Sequence, residues 1–168
     1  MIIRKARKTD AAAMINFLHQ IAGETDFLTF GSADDLHVTV EKEEKLFEDY
    51  FNRDNGLNLI AEYDGQIAGN LIFSGGTKKR TAHAGEFGIS VRKDFWGRGI
   101  GKALIARLIE WSKESGVIRK INLRVRSDNA RAIHLYKSFG FKEEGVITRD
   151  FLINDVFYDS IQMGLFID

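Results

Sequence analysis

A glycine-rich turn lies between a predicted strand that ends at Val91 and the most regular predicted helix of the chain, residues 99–115. Gly97, Gly99 and Gly101 carry no side chains, so the backbone of this turn can approach a ligand closely. The first amides of a helix have no acceptor inside the helix, and the helix dipole adds positive potential at the same place. The turn therefore predicts an anion site suited to a phosphate or a pyrophosphate.

The turn matches neither of the two best-known phosphate-binding loops. The dinucleotide fingerprint G-x-G-x-x-G, started at Gly97, requires glycine where this chain has Lys102. A P-loop requires a G-x-x-x-x-G segment before its lysine and Ser or Thr after it, whereas Ala103 follows Lys102. Both loops are excluded, and a plain strand-to-helix turn remains as the alternative to an anion site.

Hydrophobic periodicity and turn residues predict one α/β domain over residues 1–168. Strands are predicted at residues 2–4, 57–63, 66–73, 82–91, 121–125, 146–153 and 156–165. Helices are predicted from a cap at Thr9 or Asp10 to Ile21, over 40–51 and 99–115, and from a cap at 127–129 to Phe139. This order of elements predicts an α/β sandwich around a mixed sheet.

Composition excludes several classes of function. The 24 Lys and Arg residues balance 24 Asp and Glu residues, which is unfavourable for binding nucleic acid through its phosphates. The chain has no cysteine, so disulfides, thiolate metal sites and cysteine nucleophiles are excluded, and no His or carboxylate spacing indicates a metal. No signal peptide or apolar run of membrane-spanning length is recognisable. We therefore expect a cytoplasmic protein that binds no metal, nucleic acid or membrane.

The charges are nevertheless unevenly distributed. Residues 24–54 contain ten acidic and three basic residues, a net charge of −7, and residues 92–131 contain eleven basic and four acidic residues, a net charge of +7. Two regions of opposite charge favour two ligands of opposite charge, although two solvated helix faces would give the same counts. The basic region contains the glycine-rich turn.

A second motif, N-x-x-A-x-x-L-Y-x-x-x-G-F, lies in the predicted helix after the strand at 121–125. It consists of Asn129, Ala132, Leu135, Tyr136, Gly140 and Phe141. The glycine turn fits V-x4-[QR]-x-x-G-x-[GA] through Val91, Gly99 and Gly101, with Trp96 in place of Gln or Arg. With both motifs at this separation, the sequence resembles the GCN5-related N-acetyltransferase (GNAT) family, whose members transfer an acetyl group from acetyl-CoA to an amine.

The resemblance implies the GNAT fold, in which a central mixed, mostly antiparallel sheet splays between its fourth and fifth strands and is flanked by helices. It also implies acetyl-CoA as cosubstrate, with pantetheine in the splayed gap and no metal. The implied cofactor-binding residues are Ile89, Ser90, Val91, Trp96, Gly97, Arg98, Gly99, Ile100, Gly101, Lys102, Ala103, Asn129, Ala132 and Tyr136. Arg98 and Lys102 would supply positive charge at the turn, where Trp96 lacks the polar side chain usual at its position.

Two residues are expected to carry the proton transfers. The amine has to lose a proton before it can attack, because the ordinary pKa of an alkylamine is about 10.4. Glu86 is the candidate base, since it lies on the small and polar face of its strand; a salt-bridged sheet carboxylate is the alternative. Tyr136 falls at the family's general-acid tyrosine, which would protonate the departing CoA thiolate; a packed helix tyrosine is the alternative. His83 and His134 are weaker candidates, and His134 is expected on a different helix face from Tyr136.

The resemblance places the acidic segment 24–54 at one wall of the acceptor site. The other wall is expected from the terminal hairpin, through Arg149, Phe151, Asn154, Tyr158 and Asp159. Negative charge favours a cationic primary amine as acceptor: a small molecule, an amino acid derivative or a peptide N-terminus. A non-catalytic acyl-CoA-binding regulatory domain stays open as the alternative function, and monomer and homodimer stay open as oligomeric states.

Overall fold

The chain folds around a seven-stranded sheet, described over all 168 residues by a computed structural model. The strands are β1 (Ile2–Lys5), β2 (Gly56–Tyr63), β3 (Gln66–Gly75), β4 (Ala84–Val91), β5 (Lys120–Arg126), β6 (Lys142–Ile153) and β7 (Val156–Phe166). The helices are α1 (Ala11–Ile21), α2 (Val40–Phe51), α3 (Ile100–Glu114) and α4 (Ala130–Ser138). Short 3-10 turns are found at Lys8–Asp10, Ala33–Leu36 and Lys93–Phe95.

The order of the strands in the sheet is β1-β2-β3-β4-β5-β7-β6. All neighbouring pairs are antiparallel except β4 and β5, which pair in parallel only over Ala84–Glu86 and Lys120–Asn122. Beyond Glu86 the two strands no longer pair. The structure thus confirms the mixed, mostly antiparallel sheet with a splay between its fourth and fifth strands.

Two apolar cores cover the two faces of the sheet. The larger core packs α3 on the sheet through residues such as Leu104, and the smaller core packs α1 and α2 through Phe17 and Phe47. Neighbouring residues of β2 belong to different cores, Leu59 to the larger and Ile60 to the smaller. Because side chains alternate across a strand, α3 lies on the opposite face from α1 and α2. None of the four helices combines the length and the apolar character needed to cross a membrane.

Element boundaries follow from caps and from exposure. α2 has the predicted bounds, and the Thr39 hydroxyl accepts the amide of Lys42 at its start. Among the three predicted caps for α4, Asn129 occupies the N-cap, and its side-chain oxygen accepts the amide of Ala132. β6 begins at Lys142 rather than at the predicted residue 146, because this exposed edge strand lacks the alternation that marks a half-buried strand.

Candidate active site

The gap between β4 and β5 exposes backbone groups of a central strand. The amide of Arg92, just after β4, donates to the carbonyl of Ala68 in β3. In an antiparallel pair, alternate residues bond to the neighbouring strand, so this bond shows which residues of β4 face β3. Ile89 and Val91 therefore direct their N–H and C=O groups away from β3, toward β5. Because the β4–β5 pairing ends at Glu86, these groups do not meet a neighbouring strand. An extended ligand can form strand-like hydrogen bonds at this edge.

The gap opens into a cavity of about 1560 Å³. A pocket for one small ligand has about 300–1,000 Å³, so this cavity has room for two substrates. Its walls come from β3, β4 and β5, from the start of α3, from α4, from the segment after α1 and from the C-terminal end of β6. The structure contains no cluster of three or more His, Cys, Asp or Glu side chains that could hold a metal ion.

The N-terminal end of α3 presents free amides to this cavity. Gly97 and Gly99 both have φ +78°, a left-handed conformation that glycine adopts without strain. None of the amides from Gly97 to Lys102 has an acceptor within the protein, and the first helical hydrogen bond runs from the amide of Ala103 to the carbonyl of Gly99. The turn therefore combines a side-chain-free approach with several unpaired donors, as an anion site requires.

Most of the residues predicted to bind the cofactor line the cavity: Ile89, Ser90, Val91, Trp96, Gly97, Gly99, Ile100, Gly101, Lys102, Asn129, Ala132 and Tyr136. Arg98 does not, because its guanidinium lies over the rings of Tyr63 and Phe95, 5.2 and 5.3 Å from their centroids. Ala103 also lies outside the lining, and its amide is already used by Gly99. The amides available at the turn are accordingly those that precede Ala103.

Trp96 closes the turn onto β4. Its indole Nε1 donates to the carbonyl of Val91 at 2.8 Å, and the guanidinium of Arg131 lies 5.6 Å from the centroid of its ring. An indole has one N–H donor, so this side chain has no donor left for a ligand. The ring is 39% exposed and lines the cavity, where it offers apolar surface in place of the usual Gln or Arg.

Tyr136 reaches the cavity from α4, the helix that Asn129 caps. Its ring packs against Phe87 and Phe141, with centroids 5.9 and 6.1 Å away, and the residue is 7% exposed. Burial raises the pKa of Tyr136 to about 12, because the phenolate would lose its hydration. The phenol is therefore protonated at neutral pH, as a proton donor must be, while its ring also contributes to the core.

Glu86 lines the cavity as part of an ion-pair array whose other members the sequence did not identify. Its Oε1 accepts from Nε of Arg124 at 3.3 Å, and Nη1 of the same arginine donates to Oδ1 of Asp150 at 3.4 Å. All three side chains line the cavity. Glu86 is thus a salt-bridged sheet carboxylate and a cavity carboxylate at once, so the two interpretations drawn from the sequence do not exclude each other.

A β-bulge in β6 orients the side chain of Asp150 toward Arg124. The β6–β7 register shifts after Ile147, and Arg149 has φ +53°, with its amide donating to Oδ1 of Asp159 at 2.8 Å. Bulges of this kind redirect side chains next to functional sites. Arginine has no preference for the left-handed region, so no local signal in the sequence marks the bulge or the role of Asp150.

Only part of the acidic segment reaches the cavity. Of its ten acidic residues, Glu24, Asp26 and Asp35 line it, and most of the others are exposed on α2 and its flanks. The carboxylate of Glu24 accepts the amide of Lys93 at 2.8 Å, and that of Asp35 accepts two amides of its own loop. The expected acidic wall is therefore wrong for seven of the ten residues, because most of them face solvent and Glu43 is buried on α2 outside the cavity.

The hairpin wall also differs from the prediction. Phe151 lines the cavity as expected, together with its neighbours Asp150, Leu152 and Ile153. The other predicted wall residues, Arg149, Asn154, Tyr158 and Asp159, lie outside the lining. Of the two histidines, His134 lines the cavity along with Tyr136, although it was expected on a different helix face, whereas His83 does not.

Comparisons with known proteins agree with this geometry. The model of the Acetyltransferase (GNAT) family matches residues 18–141. The fold is similar to the crystal structure of an acetyltransferase of the GNAT family from Streptococcus pneumoniae, with a TM-score of 0.95 and 34% sequence identity over 99% of both chains.

Two curated relatives are named for their acceptors. An L-amino acid N-acetyltransferase of Escherichia coli is 34% identical over 106 residues, which cover 63% of this chain and 65% of the relative. A spermidine N(1)-acetyltransferase of Escherichia coli is 23% identical over 154 residues, which cover 90% of this chain and 80% of the relative. The chain thus spans about 65% of the length of the first relative, and the two relatives have acceptors of different chemistry.

Proposed function

Because this chain belongs to the GNAT acetyltransferase family, we propose that it transfers an acetyl group from acetyl-CoA to a primary amine by direct attack in a ternary complex. One observation carries the proposal. The N–H and C=O groups of Ile89, the N–H group of Val91 and the free amides of the glycine turn face the same cavity, whereas the carbonyl of Val91 is already paired with the indole of Trp96. An extended chain that ends in a pyrophosphate uses both features, whereas a simple anion uses only the second.

Acetyl-CoA supplies the thioester that the amine attacks, and the chain has to hold and orient it. The free amides from Gly99 to Lys102 suit a pyrophosphate, since anions bind at helix N-termini. The free N–H and C=O groups of Ile89 and the free N–H group of Val91 suit the amide groups of pantetheine. Their N–H donors can also polarise the acetyl carbonyl. Asn129 and Ala132 at the start of α4 complete this side of the cavity.

Glu86 takes the proton of the acceptor amine in this proposal, directly or through a water. An alkylammonium with a pKa of about 10.4 is nearly all protonated at neutral pH and has no lone pair for attack. The carboxylate of Glu86 is half exposed in the cavity, with 46% of its side-chain surface accessible, so a substrate amine can reach it. Arg124 of β5 holds the Glu86 carboxylate in place and is itself bound by Asp150 in the bulge of β6.

Tyr136 assists the departure of CoA. Its hydroxyl makes no hydrogen bond within the protein and remains available to donate to the sulfur. The phenol stays protonated throughout the physiological range, so it can donate to the sulfur as the C–S bond breaks. Glu86 and Tyr136 thereby have opposite roles: the first accepts a proton from the amine, and the second gives one to the leaving group.

Replacing Glu86 with glutamine should change the pH profile of kcat/KM. Without the carboxylate, the rate depends on the fraction of the amine that is already neutral in solution. We therefore expect activity to fall by about 10²-fold at pH 7 and to recover as the pH approaches the pKa of the acceptor. The measurement is kcat/KM for one amine at several pH values between 6 and 10, made with both the wild-type protein and Glu86→Gln.

Asp150→Asn is the matched control, since Asp150 shares Arg124 with Glu86 but belongs to a different strand. If Glu86 acts only by holding Arg124, both variants should change the rate alike and keep the wild-type pH profile. That result would assign the proton transfer to another group.

Release of the CoA thiol from acetyl-CoA, measured over a panel of amines, tests the proposed function as a whole. Amine-dependent release supports an N-acetyltransferase. Binding of acetyl-CoA without release by any amine would instead identify a non-catalytic acyl-CoA-binding domain.

A further inference from the structure

The cavity contains an apolar region outside the parts assigned to acetyl-CoA. This region comes from the end of α1, from the segment that follows it, from β3 and from the end of β6. Its apolar side chains are Leu18, Ile21, Phe27, Leu28, Phe30, Ile72, Phe151, Leu152 and Ile153. A site built for a polycation would place carboxylates here, yet two of the three acidic residues that segment 24–54 contributes to the lining use their carboxylates on backbone amides.

Arg126 fixes the segment after α1 to the sheet. Its Nε and Nη2 donate to the two carboxylate oxygens of Asp128 at 2.8 and 2.7 Å, and its Nη1 donates to the carbonyl of Asp26 at 2.9 Å. The guanidinium lies over two rings, 4.7 Å from the centroid of Phe27 and 3.9 Å from that of Tyr158. We call these contacts the Arg126 clamp. Arg126 is 6% exposed, so its guanidinium is almost completely shielded from water, whereas Asp128 and Phe27 keep 48% and 41% exposure.

The Arg126 clamp leaves its positive charge unavailable to a ligand and determines the position of Phe27. The ion pair lowers the pKa of Asp128, which keeps that carboxylate charged and paired. A bidentate guanidinium that also stacks on two rings has a defined orientation, which a lysine cannot reproduce. Phe27 is held by one ring face and stays 41% exposed in the cavity. The part of the cavity wall formed by Phe27 is therefore apolar and held in place.

We propose that Arg126 is a positioning residue that holds Phe27 as a wall of the acceptor site, and that the acceptor is a primary amine carrying an apolar group. This inference rests on the proposed function, because it assigns the acceptor of the same reaction. It selects acceptors with an apolar group among the cationic primary amines that the charge of residues 24–54 suggested. An apolar side chain of the acceptor packs on the apolar lining that includes Phe27 and Phe151, while the amine faces the array of Glu86, Arg124 and Asp150 in the same cavity.

A series of amino acid amides tests the acceptor class at constant charge. Glycinamide, alaninamide, leucinamide and phenylalaninamide each carry one amine, and spermidine serves as the polycation. We expect kcat/KM to rise about fourfold for each buried methylene, so that leucinamide exceeds glycinamide by on the order of 10²-fold. Spermidine should be a poorer acceptor than leucinamide. A flat series, or a preference for spermidine, would overturn the apolar acceptor while leaving the acetyltransferase intact.

Arg126→Lys and Phe27→Ala test the clamp. Both should reduce the leucinamide-to-glycinamide ratio of kcat/KM by about tenfold, because the wall is lost or no longer held. The matched control is Arg149→Lys, whose guanidinium also lies over a ring, 4.6 Å from the centroid of Phe157, but outside the cavity lining. This control should retain the wild-type ratio. Phe27 is partly exposed, so its variant remains informative if Arg126→Lys does not fold.

Calorimetric binding of the amides to the complex with CoA provides a readout that needs no turnover. Tighter binding of leucinamide than of glycinamide, with the difference reduced in Phe27→Ala, supports the inference. Equal binding of the two amides overturns it, and an unchanged difference in Phe27→Ala overturns the role of the clamp. Absence of CoA release with every amine would contradict the proposed function itself, so the two failures are distinguishable.

Discussion

Replacing Gly101 with glutamate is expected to weaken acetyl-CoA binding by about a thousandfold. The side chain would start from the first turn of α3 and enter the space beside the free amides that we assign to the pyrophosphate. One negative charge about 4 Å from another opposes binding by about 4 kcal/mol at an effective dielectric constant of 20, which corresponds to that factor. The measurement is the dissociation constant of acetyl-CoA by calorimetry.

Gly101→Ala separates the effect of the added negative charge from the effect of replacing glycine by any residue with a side chain. A Cβ at this position would meet Cδ2 of Leu135 at 3.7 Å and Cδ1 of Ile89 at 3.9 Å, which are ordinary contacts. The helical position also favours alanine over glycine, so both variants should fold. We expect the alanine variant to bind acetyl-CoA within about tenfold of wild type. A folded glutamate variant with the wild-type dissociation constant would show that the pyrophosphate lies elsewhere.

Tyr136→Phe should lower kcat by 10²- to 10⁴-fold, the usual range for the loss of a positioned general acid. The substitution removes one hydroxyl and keeps the ring that packs against Phe87 and Phe141. Stability and acetyl-CoA binding should therefore change little. Single-turnover formation of the acetylated amine measures the chemical step without product release.

The pH dependence distinguishes this role of Tyr136 from a purely structural one. Because burial raises the pKa of Tyr136 to about 12, the wild-type enzyme should lose no activity through this group below about pH 10. In Tyr136→Phe, an acceptor-independent loss of rate at all pH values up to 10 is expected. A chemical step slowed by less than threefold would assign Tyr136 to packing alone.

Elements with a regular period and a clear cap could be predicted from the sequence alone. The alternation of polar and apolar residues around Glu86 correctly identified the two faces of β4. The predicted bounds of α2 are confirmed, and the cap of α4 is one of the three predicted candidates, Asn129. In each case the determining contacts are local, within about one helical turn or one strand. The glycine turn belongs to the same class, because the φ values of Gly97 and its neighbours depend on the turn itself.

The features that the sequence did not reveal depend on contacts between distant residues. Asp150 enters the cavity only because Arg149 adopts a positive φ and the amide of Arg149 donates to Asp159. Neither Arg nor Asp is a residue type that predicts a bulge. Arg126 and Asp26 are separated by 100 residues, so their hydrogen bond becomes apparent only in the folded chain. The net charge of residues 24–54 was correctly counted but says nothing about which face of α2 carries it.

The short parallel pairing of β4 with β5 has a consequence for local opening. A central strand is ordinarily among the last parts of a domain to exchange its amide hydrogens with solvent. The amides of Ile89 and Val91 lie in such a strand, yet they face the gap without an acceptor. In deuterated buffer they should exchange like loop amides, while Gly88 and Ser90, which are directed at β3, exchange slowly. A bound pantetheine chain would turn the least protected positions of the sheet interior into protected ones, so ligand binding adds order at the centre of the fold rather than at its rim.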